Sequence, residues 1–246
     1  MIKLFGQRLD NVDTETALGI IDSYIKEPKN KTKIICAKNV ALVVMCNRDS
    51  FLRRFYEDAN LVVIDGRPLI YVYYLLEKKL PEYIGGPNLW EKTIELASKK
   101  RYSTYFLGGT QLVVKKAVEK LKNKYPNLII SGYRDGYFKE SDLPNIINEI
   151  KEKSPDIILL GIATPKKEMV ARVLSYELHS SLIVLVGGMF DIFAGEKRRA
   201  PRIINKLCLE WLYRLCQEPG RLWKRYLITN SLFVLDTIKE IFGRSK

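Results

Sequence analysis

The chain has one histidine, His179, and four cysteines, Cys36, Cys46, Cys208 and Cys216, none of them in a C-x-x-C pair. That scarcity argues against a structural zinc site, whose ligands come from closely spaced Cys and His. The cysteines read as buried free thiols and fit a reducing compartment. No apolar run reaches the ~18 residues that a spanning helix requires, so any membrane contact is expected to be peripheral. The opening residues, MIKLFGQRLDNVD, have no long apolar core and do not read as a signal peptide. Internal repeats and low-complexity linkers are missing too. Acidic residues are the scarcer charge: 28 Asp and Glu stand against 41 Lys and Arg, a formal net charge of +13. Such an excess points to an anionic partner, either nucleic acid, a phosphorylated substrate or a membrane surface. No helix-turn-helix or RNA-binding aromatic pattern accompanies the charge, which speaks against nucleic acid.

What is present reads as α/β. At 246 residues and 47% hydrophobic, the chain is long and apolar enough for one large domain with a short appendage. Short apolar runs rich in β-branched residues occur at 32–37, 61–65, 103–108, 128–133, 156–161 and 181–187. Segments with apolar spacing near 3.6, such as 110–124 and 140–153, lie between several of them. The pattern predicts a Rossmann-like parallel sheet with helices on both faces. Such sheets bind ligands beyond the carboxyl ends of their strands. Asn39, Asp65, Gly108-Gly109, Gly161 to Glu168 and Gly187 to Asp191 all fall there. From about residue 196 the strand signals stop. Helices are expected over 201–217 and 221–242, interrupted at Glu218-Pro219-Gly220. The chain is therefore divided into a core, 1–195, and a basic helical appendage, 196–246.

Residues 197–226 carry nine basic side chains, Lys197, Arg198, Arg199, Arg202, Lys206, Arg214, Arg221, Lys224 and Arg225, against Glu210 and Glu218. Guanidinium forks match phosphate oxygens. Trp211, Tyr213, Trp223 and Tyr226 are side chains suited to a membrane interface. Further on, Leu232, Leu235, Ile238 and Phe242 recur at helical spacing, a stripe that can cover the domain, a partner or a bilayer surface. Asp65, at a strand end, reads either as a general base or as a cap for the helix that follows. Asn39 reads as a helix cap or as a ligand to a hydroxyl or phosphate. Gly108-Gly109 is either a phosphate-cradling turn or a tight strand–helix turn. Gly187-Gly188 with Phe190-Asp191 reads as a close-approach turn beside a sugar-binding carboxylate, or as helix capping.

Several of these segments also carry a resemblance. FDIFAGEKRRAP at 190–201, followed by LEWLYRL and EPGRLWKRY at 209–226, resembles the C-terminal half of the WecG/TagA/CpsF family of bacterial glycosyltransferases. LVVIDGRPL at 61–69, FLGG at 106–109, GYRDGYF at 132–138 and GIATPKKE at 161–168 agree with it. The likeness runs over about residues 30 to 230. It implies inverting transfer of a sugar from a UDP-sugar to a polyprenyl-diphosphate-linked saccharide, on the inner face of the cytoplasmic membrane. The product would be a cell-surface polymer such as teichoic acid, capsule or exopolysaccharide. No metal or cofactor is implied, and self-association is left open. Asp65 would be the base. Asn39, Gly66, Gly86, Asn88, Gly108, Gly109, Lys167, Glu168, Gly187, Gly188, Phe190 and Asp191 would meet the substrates, and Arg199, Arg214, Arg221 and Arg225 the lipid diphosphate. The chain departs from the family at Ala37, usually Thr, and at Lys167, commonly Gln. Tyr83, Gly85 and Asn88 stand where relatives with mannosamine-type donors have Arg, Thr and Asp. These departures leave open a second class, a non-catalytic relative that binds lipid-linked sugar or a partner glycosyltransferase.

Overall fold

The structure, a computed structural model, describes residues 1–27, 31–178 and 182–243, without the side chains of Arg202, Lys206 and Arg221. His179 lies outside the described residues. The chain opens with a short antiparallel hairpin, β1 (Ile2–Leu4) and β2 (Gln7–Leu9), then α1 (Thr14–Lys26). The first long strand, β3 (Lys33–Lys38), leads through α2 (Val40–Cys46) and α3 (Ser50–Asp58) to β4 (Leu61–Ile64). Helices α4 (Arg67–Glu77) and α5 (Gly86–Lys100) then cross to β5 (Ser103–Gly108). From there the chain alternates: α6 (Gln111–Lys124), β6 (Ile129–Arg134), α7 (Leu143–Lys153), β7 (Ile157–Gly161), α8 (Lys166–Glu177), β8 (Leu182–Leu185), α9 (Met189–Phe193). It closes with α10 (Arg202–Lys206), α11 (Glu210–Gln217) and α12 (Pro219–Gly243).

Strands β3 to β8 form one parallel sheet in the order β4-β3-β8-β7-β5-β6. Side chains alternate across it, because successive residues of a strand point to opposite faces. Cys36, Val62, Tyr105, Ile158 and Ile183 enter one core with α2, α3, α4, α7 and α8. Ile35, Val63, Phe106, Leu159 and Val184 enter the other with α1, α5, α6 and α9. Neighbouring strands therefore send their following helices to opposite faces at four places: β3 beside β8 (α2 and α9), β8 beside β7 (α9 and α8), β7 beside β5 (α8 and α6), and β5 beside β6 (α6 and α7). Each divergence opens a crevice at the strands' carboxyl ends.

The C-terminal limb differs from the sequence expectation. The helix expected over 201–217 is broken at residues 207–209, where Cys208 takes a left-handed φ of 62°. The break expected at 218–220 is confined to Glu218. Pro219 and Gly220 open α12 instead, since proline is tolerated in a helix's first turn. Helix α12 buries Leu222, Thr229 and Phe233. Phe233 meets Phe5 edge-on at a centroid separation of 5.7 Å. The expected stripe points elsewhere: Leu232 lies partly against the core, while Leu235, Ile238 and Phe242 are exposed. The thiols divide likewise. Burial pushes Cys36 up to about 12 and Cys46 to about 11. Contrary to expectation Cys208 is only half-buried and Cys216 is exposed. Among the described residues no helix is long and apolar enough to cross a membrane.

Asp236 fastens α12 to α2. Its Oδ2 accepts from Arg48 and from Asn47, each at 3.0 Å, and its Oδ1 accepts from Arg48 at 3.1 Å. Burial works to raise this carboxyl, but the bonds from Arg48 and Asn47 outweigh it and hold it below the ordinary aspartate range. A lowered acid stabilises the fold above its unfolded pKa and loses that contribution as the pH falls through the folded value. Asp236→Asn is expected to cost about 1 kcal/mol at pH 7 by thermal denaturation. The gap to wild type should close as the pH drops below the aspartate range; a gap unchanged at pH 2 would dissociate it from this carboxylate.

Candidate active site at the carboxyl edge of the sheet

Asp65 stands immediately after β4 and is tied to β3 by its backbone, with its N–H donating to the Lys38 carbonyl at 2.9 Å. Its side chain does not cap the helix that follows. The N-cap of α4 is Gly66, with no side-chain cap bond. The carboxylate reaches α5 instead, where Oδ1 accepts from the Gly86 N–H at 2.9 Å. A Cβ on Gly86 would stand 3.4 Å from Asp65 Cγ, 3.3 Å from Ala37 Cβ and 3.2 Å from Trp90 Nε1. Position 86 is glycine because three side chains converge there. Among the described residues Asp65 Oδ2 accepts no hydrogen bond, so one oxygen is fixed and the other is available.

The C-terminal limb lies beside this carboxylate. Arg214 pairs with Glu210, Nε to Oε1 at 3.5 Å, one turn apart on α11. Burial pushes the Glu210 carboxyl up, the Asp65 charge adds to that, and Arg214 and Arg199 oppose it. Burial also works against the charge of Arg214, but Glu210, Asp65 and a hydrogen bond with Tyr226 outweigh it and hold the guanidinium more firmly protonated. Tyr83 belongs to the same cluster. Burial, then the charges of Asp65 and Glu210, drive its hydroxyl well above the usual tyrosine range, while Arg67 pulls the other way. The Arg67 guanidinium lies over the Tyr83 ring at 5.0 Å. Arg199 ties the limb to α5, bonding Asn88 Oδ1 through Nη2 and Glu91 Oε2 through Nη1 at 3.2 Å.

The remaining sequence-flagged residues divide between open and occupied. Asn39 caps α2, its Oδ1 accepting from the Leu42 N–H at 3.1 Å. Gly108 is required by packing: a Cβ there would stand 2.2 Å from the Gly161 carbonyl oxygen. The Gly109 N–H is spent on that same oxygen at 3.1 Å, so this turn fits the tight strand–helix reading. Gly187 takes a φ of 56°, and nothing lies within 4 Å of where its Cβ would be, leaving room for a ligand to approach. Phe190 is buried against Phe106 at 5.9 Å. Asp191 is bonded by Lys197 at 2.7 Å, and Lys197 also pairs with Glu218 at 3.0 Å. Arg225 is exposed on α12, and the Arg221 side chain lies outside the described residues.

Lys167 is neither solvated nor free. It is 7% exposed and pairs with Glu168 at 3.3 Å. Glu168 is fully buried; its Oε1 also accepts from Tyr56 at 2.8 Å and from Thr164 at 3.0 Å, while its Oε2 has no partner. Buried Lys38 lies over the other side of this group, its Nζ 5.0 Å from the Tyr56 ring centroid and donating to Gln7 Oε1 at 3.0 Å. Sequence reasoning missed Arg67, Lys38, Tyr56 and Thr164 as site neighbours. Arg67 and Thr164 sit inside motifs already noted, and Lys38 adjoins Asn39. Tyr56 arrives from α3 and left no local signal.

An open parallel sheet with its motif-bearing loops gathered at the carboxyl edge defines a Rossmann-like α/β protein, a class whose ligand crevice lies at that edge. The sequence profile of the glycosyl transferase WecG/TagA/CpsF family matches residues 2–246, and the chain belongs to that family. The N-acetylglucosaminyldiphosphoundecaprenol N-acetyl-beta-D-mannosaminyltransferase of Bacillus spizizenii is 28% identical over 223 residues, 89% of this chain and 85% of that protein. The proteins of the same name from Bacillus subtilis and Staphylococcus aureus are 29% and 27% identical, over 82% and 91% of this chain and 76% and 86% of theirs.

The raised carboxyl of Glu210 generates a stability prediction. An acid whose pKa is higher in the fold than in the unfolded chain costs stability as the pH rises between the two values. Glu210→Gln is therefore expected to melt at or above wild type at pH 8, with the difference vanishing below the ordinary glutamate range. A Glu210→Gln protein that is markedly less stable at pH 8 would mean that the pair with Arg214 outweighs the burial.

Proposed function

We propose that this protein is an inverting glycosyltransferase that moves a sugar from a UDP-sugar onto a polyprenyl-diphosphate-linked saccharide during synthesis of a cell-surface polysaccharide. The observation that carries the reading is Asp65: a carboxylate pinned through one oxygen by Gly86, beside an arginine and a glutamate from the C-terminal limb. The acceptor hydroxyl gives its proton to the free oxygen of Asp65 as its oxygen bonds the anomeric carbon. The bond from that carbon to the diphosphate breaks on the opposite side, and UDP leaves with the electron pair. Positive side chains answer the charge that develops on the departing diphosphate.

The names of the relatives support an acceptor of the N-acetylglucosaminyl-diphospho-undecaprenol class and an N-acetylmannosaminyl donor. The acceptor class fits a limb that carries Arg214 beside Asp65. The names carry less weight for the donor sugar, because Ala37, Tyr83 and Lys167 replace the family's usual residues. Residues 196–246 act as the docking limb. Trp223, Lys224, Arg225, Leu227 and Ile228 are all exposed on α12, a mixture suited to an anionic bilayer surface on the cytoplasmic side. Asn39, Gly66, Gly86, Asn88 and the 187–191 turn surround the donor in this reading, with Gly108, Gly109 and Phe190 shaping the crevice floor. One observation favours the alternative of a non-catalytic binder: Lys167 is committed to Glu168 and so withdrawn from substrate.

UDP release measured with a panel of UDP-sugars and a short-chain polyprenyl-diphosphate N-acetylglucosamine acceptor tests the reading. Asp65→Asn is expected to lower turnover by about 10²–10⁴-fold while leaving UDP binding near wild type. Transfer at the wild-type rate would move the base elsewhere, and a wild type inert with every donor would favour the binder. Deleting the limb is a poor test, since it would uncover the core around Phe5 that Phe233 covers. Arg214→Ala is the cleaner variant and is expected to raise the acceptor KM about tenfold or more.

A further inference from the structure

Arg67 carries charge that the fold leaves unused. It opens α4 two residues after Asp65. Its Nε is buried and has no hydrogen-bond partner, and no ion pair reaches its guanidinium among the described residues. Other cations flagged for this edge of the sheet are committed: Arg214 to Glu210, Arg199 to Asn88 and Glu91, Lys197 to Asp191 and Glu218, Lys167 to Glu168. A buried donor without an acceptor is costly and is rarely left so in a native structure. The guanidinium nevertheless has a neighbour, lying over the Tyr83 ring 5.0 Å from its centroid. A cation over a ring face is attracted there without using its N–H donors, which stay free to meet an oxyanion. Tyr83 is half-buried, packs against the core, and feels the charges of Asp65 and Glu210, so the platform adjoins the carboxylate.

Two acids stand close enough to act on this cluster, and neither closes on Arg67. Asp65 is bonded to Gly86, and Glu210 is paired with Arg214. We propose that Arg67, stacked on Tyr83, is a diphosphate-binding residue of the transfer site. Its free N–H donors take the phosphate oxygens of the nucleotide or of the lipid carrier next to Asp65. The proposal rests on the transferase reading above and adds to it a residue pair that works as a unit: the arginine binds, the tyrosine ring positions it.

Calorimetric titration with UDP, and the KM for the short-chain polyprenyl-diphosphate acceptor, are measured on full-length Arg67→Ala, Tyr83→Phe, Tyr83→Ala and the Arg67→Ala/Tyr83→Ala double variant. Arg67→Ala is expected to weaken one of these by about tenfold or more, the loss of a charge-assisted contact, with an unchanged melting temperature. Tyr83→Phe keeps the platform and stays within about threefold of wild type. Tyr83→Ala reproduces most of the Arg67→Ala loss, and the double variant is no worse than Arg67→Ala, as coupled residues require. A fall in UDP affinity assigns the oxygens to the nucleotide; unchanged UDP affinity with a raised acceptor KM assigns them to the lipid carrier. Both parameters within threefold of wild type overturn the proposal, as does full additivity of the two alanine variants. If Arg67→Ala does not fold, Arg67→Lys, which keeps the charge and loses the fork, is read by the same two measurements. A wild type without transferase activity strikes the transferase reading alone, and titrations with UDP and with the diphosphate lipid then decide Arg67.

Discussion

The hydrogen bond from the Gly86 N–H to Asp65 Oδ1 is the constraint on which the site depends. It joins the end of β4 to the start of α5 across 21 residues of chain. One oxygen of the carboxylate is thereby fixed, and the strand end cannot swing without breaking a bond at a helix start. The same contact explains the glycine. Any side chain at 86 would press on Asp65, Ala37 and Trp90 together. The bond thus orients Asp65 at the crevice while leaving its second oxygen without a partner among the described residues.

Around that carboxylate the large positive charge of the chain is mostly spoken for. A formal +13 suggests a broadly cationic surface, yet the basic residues nearest the crevice are largely engaged with acids. Arg199 and Lys197 work as fasteners, tying the 196–199 segment to α5 and to α9. Arg214 is held by Glu210 within reach of the Asp65 charge. Paired surface charges contribute little to stability, so their value here lies in fixing where the limb sits. The consequence for binding is selective. On the proposed reading, an incoming diphosphate would meet a few placed guanidinium groups and not a diffuse cloud of lysines, which favours geometry over ionic strength in recognition.

The sheet was legible because parallel strands buried on both faces leave near-continuous apolar runs. All six runs named from sequence became its strands, with ends shifted by a residue or so. The strand-end placement of Asn39, Asp65 and the Gly187 turn follows from the same signal. What escaped was tertiary. The hairpin strands β1 and β2 have three residues each, too few to show a period. The break at Cys208 has no glycine or proline to announce it, whereas Pro219 and Gly220 announced a break and then began a helix. The stripe on α12 was real as a pattern, but Phe233 and Asp236 decide which side meets α2, leaving Leu235 and Phe242 outside. Asp65 looked like a cap for α4 because that helix follows it; its actual partner is 21 residues away, a pairing no local spacing reveals.

The departures from the family's usual residues acquire physical content from these contacts. A lysine at 167 suggests an added grip on an anion, but its ammonium is almost wholly buried and 3.3 Å from Glu168. Drawing it toward a substrate would strip a partner from a fully buried carboxylate whose second oxygen already has none. Breaking such a pair costs more than the new contact returns, so Lys167 is held where it is. The tyrosine at 83 removes a cation, yet its ring lies under the guanidinium of Arg67, so positive charge remains at this position of the site though it comes from the start of α4. Ala37 places only a methyl group where Gly86 and Asp65 converge, 3.3 Å from the position of a Cβ on Gly86. A branched, hydroxyl-bearing residue there would add a donor beside Asp65 and take up space next to it. With that group absent and Lys167 withheld, the proposed transferase reading assigns discrimination between donors to the shape of the Ala37–Gly86–Asp65 corner and to the oxygens Arg67 would reach.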